Sequence, residues 1–594
     1  MAGPTPLEKW PADDLGPRVT RGTKNPRAIA WFGFSAFWGH LRHFIASAIA
    51  TDNIDSRQWM IPEAPDVLLG RVLEIIGPRA TRHSAKEMAQ REGTLVEAMG
   101  GECWIDFVSD CGDDVTVSEA VAQLFVREYE VADPDHEGEK LVLPRGDILF
   151  LGGDLSYPVA TVREMTRRLV EPWNRVLEKH TAGAPRALLA VPGNHDWYDG
   201  LDGFSRLCQA PCAFEDAAPQ SDPLHPETEE HPVLAWAEAF ARGDQVKKPT
   251  ALALAGYLAV QRASYFRLPL APGVDLFAVD RQLKRVDPRQ KAYFAVPGAP
   301  ARVVVLPDPA RAWGEQRPHG RATLESLGIT MATSPTLLLA GDIHHYERSH
   351  EGKSVHVVAG GGGAFLHGAR IARDGEYPIA TEFPGPRASW KMLRELPFFF
   401  ALGRAGWLLP AVLALGNAVA LVEHARGGPG ASATVALVIS LVVAIGTALL
   451  VGWRRHRTAR VVPFATALGL GIGAIPVAIG VGTDAMAMRV FMDSGGSAVA
   501  FAAGLVLSTL ASSLLFGAML VLVARLGLSH AQAYAALGSP GYKHFVRLRI
   551  RGGDGGQSRV DAWTIGIVDP IARPTPVLVD AFRFAPFEEP PSAP

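Results

Sequence analysis

Five short stretches of this chain carry side chains that can hold a metal ion or move a proton. "CWIDFVSDCGDD" ends on Asp110, and "DILFLGGDLSYP" on Asp154 with Tyr157 just beyond. "RALLAVPGNHDWYDG" delivers Asn194, His195 and Asp196 side by side. "PTLLLAGDIHHYER" delivers Asp342, His344 and His345, and "SVHVVAGGGGAFLHG" ends in glycines followed by His367. One polar strand end is ordinarily a turn. Four strand ends offering Asp, Asp, Asn–His and Asp–x–His–His make a site. Mixed oxygen and imidazole donors suit Mn, Fe, Zn or Mg rather than a thiolate centre.

Such residues need elements that bring them together. Each preceding run is four to eight residues long, rich in Leu or β-branched residues and bounded by Gly or Pro, as buried strands are. Helical stretches such as 160–180 lie between some of them. That alternation predicts an α/β layer fold. In such folds ligands bind beyond the carboxyl ends of the strands.

"GGDLSYP", "PGNHDWYDG" and "GDIHHYER", in this order, resemble the calcineurin-like metallophosphoesterase superfamily over roughly residues 100–370. The resemblance implies a four-layer αββα sandwich with two divalent or mixed-valence metal ions. It implies that Asp110 and His344 bind one metal, Asp154 bridges both and Asn194 binds the second. His195 would act on the phosphate or its leaving group, with Asp196 holding its ring. Tyr157 sits where the purple acid phosphatase branch places an iron-binding tyrosine. The substrate would be a phosphate mono- or diester.

The sequence also departs from that pattern. Asp342 replaces the first His of GH-x-H, where a carboxylate can still bind a hard metal. The strand "ARVVVLPDPARAW" carries Pro307 and Asp308 where the family places a His, so Asp308 or His319 is a candidate substitute, as are His345 and His367. Asp113 and Asp114 read as a helix start. Gly360 to Gly363 read as a tight turn beside the site, since no P-loop Lys–Ser/Thr follows. Asp280 and Gln282 either line the pocket or cap a strand.

Past residue 396 the composition changes. Apolar stretches at about 398–422, 433–453, 461–482 and 497–523 each reach the length of a membrane span. Arg454, Arg455, Arg457 and Arg460 join the second to the third, and basic residues flank the outer ends, which places both termini and the α/β part on the cytoplasmic side. The segment 28–50 reads as a helix on the membrane or on the soluble domain. Residues 542–569 alternate as a β-hairpin, forming a small domain or adding to the main one, and the tail should be disordered.

The expected organisation is an N-terminal extension (1–95), a metallophosphoesterase domain (96–385), a transmembrane bundle (396–526) and a small C-terminal β-containing segment (530–594). Formal charge is −3, so no nucleic-acid partner is expected. Four cysteines without zinc spacing favour a reducing compartment, and the polar N-terminus lacks a secretory signal. The expected partners are a phosphate-ester substrate and the lipid bilayer. The expected function is a membrane-anchored dinuclear-metal phosphoesterase. The rivals are a catalytically impaired sensor or scaffold and a transporter with an appended domain.

Overall fold

The computed structural model describes residues 3–11, 24–31, 61–80, 93–210, 252–281, 286–332, 334–372, 375–452, 458–490, 495–528, 530–552 and 557–587. Most of the segment 28–50, Gln282, Cys212, the basic residues 454–457 and the last residues of the tail lie outside these. Cys103, Cys111 and Cys208 are free, buried thiols.

Two seven-stranded sheets make the α/β part. The first begins with β1 (Glu102–Val108), β2 (Ile148–Leu151), β3 (Arg186–Ala190) and β4 (Tyr257–Ala259), all parallel. The second follows from one continuous stretch: β5 (Phe266–Ala271), β6 (Val274–Ala278), β7 (Ala301–Leu306), β8 (Thr336–Ala340), β9 (Tyr346–Glu351), β10 (Ser354–Ala359) and β11 (Thr381–Phe383). The chain then runs through the apolar helices and returns with β12 (Lys543–Arg551), β13 (Arg559–Ile567) and β14 (Val577–Phe584). These three join the first sheet, whose order is β14-β13-β12-β1-β2-β3-β4. The second sheet runs β11-β9-β10-β8-β7-β6-β5. Of the two options for the hairpin, the chain takes the second: it adds to the main sheet.

Burial explains why the central strands read as unbroken apolar runs. Ile105, Phe107, Ile148 and Phe150 of the first sheet pack on Leu276, Val303, Val305, Leu337 and Leu339 of the second. On the outer face of the first sheet, Trp104 and Leu149 meet α1 (Val115–Phe125) and Trp173. On the outer face of the second, Phe277, Val304 and Leu338 meet Phe294 and Leu324 of short helices. With both faces covered, alternation disappears. Asp114 caps α1, its side chain accepting from the backbone N–H groups of Thr116 and Val117.

The seam between β1 and β12 is polar. Arg547 lies opposite Asp106 in register. Its Nε and a terminal nitrogen donate to the two carboxylate oxygens at 2.6 and 3.0 Å, and both side chains are fully buried. The rest of the guanidinium donates to the carbonyls of Arg127, Leu143 and Phe125.

Three helices among the described residues are long and apolar enough to cross a membrane: Leu408–Arg426, Val462–Thr483 and Ala498–Arg525. They lie in the helical runs α2 (Leu408–Gly452), α3 (Thr458–Val490) and α4 (Gly495–Arg525). The first begins ten residues later than the sequence suggests. Leu396–Ala401 is a separate short helix, cut off by Gly403 and Gly406 at φ 66° and 119°. The span expected at 433–453 begins within the second half of α2, where Gly430–Gly446 is apolar but shorter. α2 doubles back on itself. A Cβ on Gly416 would lie 3.4 Å from Ile439, two positions that a straight helix would hold about 35 Å apart. The sequence Gly427–Gly428–Pro429–Gly430 lies midway between them.

Candidate metal centre

Asp110, Asp154 and Asp342 follow the carboxyl ends of β1, β2 and β8, and all three have left-handed backbones, with φ of 60°, 52° and 65°. For a residue with a side chain this costs about 1 kcal/mol or more, and such strain gathers at functional sites. The first two loops are zipped together. The N–H groups of Asp110, Cys111 and Gly112 donate to the carbonyls of Gly153, Asp154 and Leu155 at 2.9–3.0 Å. Two glycines permit this closeness. A Cβ on Gly193 would sit 2.1 Å from Asp154 Oδ1, and one on Gly341 would sit 2.0 Å from Ser109 Oγ.

The centre of the arrangement is the buried Tyr157 hydroxyl. It donates to Asp110 Oδ1 at 2.9 Å and lies 3.0 Å from His344 Nε2 and 3.4 Å from Asp154 Oδ2. His344 Nε2 is also 3.3 Å from Asp110 Oδ1. The His344 ring is held from behind, where Nδ1 lies 2.7 Å from the Phe365 carbonyl. A carbonyl only accepts, so Nδ1 carries a proton and the ring is fixed with Nε2 directed toward the phenol and the carboxylate. That is how metal-binding imidazoles are oriented.

The other residues are placed as follows. His195 Nδ1 faces the Pro158 carbonyl at 2.6 Å, and its ring packs against Tyr157 at 4.4 Å between centroids. Asp196 does not hold that ring. Its carboxylate accepts from the N–H groups of Asp154, Leu155 and Gly193 at 2.7–3.1 Å, tying the second and third loops together. The reason is the short helix Asn194–Trp197, which turns successive side chains about 100° apart. Asn194 donates to the Tyr198 hydroxyl at 3.1 Å. The N–H of Asp342 donates to both oxygens of Asp110. Asp308 pairs with Arg281 at 2.8 Å. His345 is buried beside Glu347, and His367 accepts from the N–H of His344. Asp280 is buried and accepts from Trp197 Nε1 and the Ser264 hydroxyl.

Negative charge accumulates here. Burial raises the Asp154 carboxyl well above its ordinary range, and the charges of Asp110, Asp196 and Asp342 raise it further. Burial also pushes Asp196 to about 7 against three N–H donors, and Asp308 to about 7 against Arg281. Buried carboxylates of one sign stay ionised when a cation joins them. Neighbouring oxygen or nitrogen ligands of an octahedral cation lie about 3 Å apart. The contacts around the Tyr157 oxygen match that spacing for Asp110 and His344 and exceed it slightly for Asp154. Only the Tyr157 phenol, Asp110 and His344 therefore have the spacing that a shared hard cation would need, and Asp154 stands apart from them. Asp110, Asp154 and His344 do not by themselves converge to within 4.8 Å. Among the described residues the one acidic and imidazole trio that does is Asp133, His136 and Glu139, largely exposed in the turn between the strands Tyr129–Ala132 and Lys140–Leu143.

Sequence reasoning missed Ser109, whose hydroxyl donates to Asp110 Oδ2 at 2.6 Å. It also missed Trp31, whose ring lies 6.0–6.2 Å from those of His195 and Tyr157, and Lys543, whose ammonium donates to the Ala364 carbonyl. Spacing could not reveal the last two, since their partners are more than 100 residues away. The glycine run is a packing device: Cβ atoms on Gly360 and Gly362 would meet Asp110 Oδ2 and the Ser109 carbonyl at 2.7 and 2.3 Å. No protein-family model matches the chain, and no curated protein matches it.

Proposed function

We propose that the protein is a membrane-anchored, metal-dependent phosphoric ester hydrolase with the four-layer fold of the calcineurin-like metallophosphoesterases. The observation that supports this most is the gathering of Asp110, Asp154 and His344 about the Tyr157 hydroxyl, from strand ends of both sheets. In this reading Asp110, Tyr157 and His344 would hold one cation, with Asp154 drawn in when it binds. Asp154, Asn194 and Asp342 would hold a second. Mn, Fe, Zn and Mg suit these donors. Bound cations supply water activation and neutralise phosphoryl oxygens. His195 keeps its Nδ1 proton on Pro158, so it exchanges protons with a leaving group at Nε2. Asp196 is a positioning residue, fixing the backbones of Asp154 and Gly193. The apolar helices serve as the anchor, and the basic residues between and beside them favour a cytoplasmic catalytic domain.

A second reading, a phosphoesterase-like sensor without turnover, is favoured by the second-cation side. There Asp308 is paired with Arg281 and Asn194 is turned to Tyr198. One experiment separates the two. Full-length protein in lipid nanodiscs is analysed for bound metal and assayed on phosphate mono- and diesters with Mn, Fe, Zn or Mg supplied. Turnover that Asp154→Asn abolishes supports the enzyme. Metal uptake with no turnover on any ester supports the sensor.

A further inference from the structure

We propose that the segments on either side of the membrane bundle position His344 through the loop Ala364–Ala369, with His367 and Tyr534 as positioning residues. The proposal rests on the metal-ligand reading of His344. Everything that orients this imidazole from behind comes from that loop. The Phe365 carbonyl fixes the tautomer. His367 accepts from the His344 N–H at 3.0 Å and returns its own N–H to the His344 carbonyl at 3.1 Å. The two rings stack at 4.2 Å and 14°.

The loop is in turn held by residues that flank the bundle. Before it, Ser389 Oγ accepts from the Ala369 N–H at 2.9 Å. After it, the Ser539 carbonyl accepts from the Leu366 N–H at 2.8 Å, and Lys543 donates to the Ala364 carbonyl. Gly368 lies flat on the Tyr534 ring, where a Cβ would come within 2.3 Å of Cζ. Its carbonyl accepts from Trp313 Nε1 at 2.8 Å, and Trp313 in turn lies 5.3 Å from the ring of His530. Tyr534 belongs to α5 (Ala531–Leu537), which follows α4 closely and shares an apolar cluster with Leu393, Leu396, Phe400 and Ala524. Close-packed contacts pass displacement on rather than absorb it. A shift of α4 against the sheets therefore reaches Gly368 through Tyr534, then His367, then His344.

The test uses full-length protein in nanodiscs and two readouts: amide hydrogen exchange over 342–346 and 364–369, and Mn²⁺ or Zn²⁺ affinity by calorimetry. Gly368→Ala should speed exchange in both segments and weaken metal binding by roughly 10–100-fold. Adding Tyr534→Leu makes room for the new methyl and should restore most of both. His367→Ala should act like Gly368→Ala. His367→Asn, whose Oδ1 offers an acceptor near the place of Nδ1, should keep the exchange pattern close to wild type. Should Gly368→Ala not fold, the His367 pair decides through the same readouts. Loosening confined to 364–369, or no rescue by either second variant, overturns the proposal. Wild-type protein that takes up neither metal overturns the metal reading instead, and the exchange pattern alone then decides the positioning one.

Discussion

The two sheets meet at one site but are assembled differently. The second is drawn from a single stretch, and its strands β7 and β8 hold their neighbours with apolar side chains on both faces. The first needs β12, which arrives only after the apolar helices, and β1 receives it through Arg547 and Asp106, buried and bidentate. Apolar burial is non-directional, and a one-residue slip exchanges a strand's faces. A forked guanidinium on a carboxylate fits one register only. A strand that joins late thus carries its own alignment key, whereas neighbours in sequence need none. The candidate site divides along the same line. The first sheet brings Asp110, Asp154 and the Asn194–Asp196 group, and the second brings Asp308, Asp342 and His344.

The largest effect is expected at Asp154, the carboxylate of the first sheet that the proposed centre would share between two cations. Asp154→Asn should lower turnover on the order of 10⁴-fold with loss of bound metal, by steady-state kinetics and metal analysis. Activity within tenfold of wild type would remove the first sheet from the chemistry. Next comes the seam. Arg547→Met leaves Asp106 charged, buried and unpaired, and should destabilise the protein by about 3–5 kcal/mol in chemical denaturation. Adding Asp106→Leu should recover most of this, and failure to do so would mean that the pair is not what aligns β12. His195→Ala should cost roughly 10²-fold, more for alkyl than for nitrophenyl esters, with metal content unchanged. Equal losses on both ester types would argue against proton donation by this ring.

On the second sheet, Asp308→Asn should cost less than about tenfold, because Arg281 already holds the carboxylate. A loss as deep as that of Asp154→Asn would erase the division between the sheets. The smallest effect concerns pH. Burial lowers the Lys543 ammonium from its ordinary 10.5 to about 7. Between those values the unfolded chain binds more protons than the folded one, so stability rises with pH across that window. Lys543→Met should therefore raise the melting temperature most at or below pH 7, with the gain shrinking toward pH 10. A gain that is flat with pH would mean that the ammonium is not penalised by the fold.

How the strands end is legible in the chain because each apolar run stops at Gly or Pro beside a polar residue, as at Gly153–Asp154 and Gly193–Asn194. The α1 start at Asp114 and the 542–569 hairpin are legible for equally local reasons. The left-handed turns at Asp110, Asp154 and Asp342 are not, since aspartate is only tolerant of that conformation and does not demand it. The partner of Asp196 is misread because adjacency in sequence is mistaken for adjacency around a helical turn. The start of the first apolar helix is misread because Gly403 and Gly406 look unremarkable within an apolar run. Lys543, Tyr534 and Trp31 reach the site from distant parts of the chain, and no local pattern records such contacts.

The position of β12 in the chain has a consequence for biosynthesis. Residues emerge from the ribosome in order, so β1 to β4 exist while the apolar helices are still being made. Throughout that interval the β1 edge that will receive β12 presents unpaired N–H and C=O groups, the kind of edge that pairs with other chains. Closure comes only when Lys543–Arg551 appears. Chaperone demand should therefore peak while the apolar helices are being made, and release of a nascent chain before residue 543 would leave an aggregation-prone product in place of a smaller folded protein.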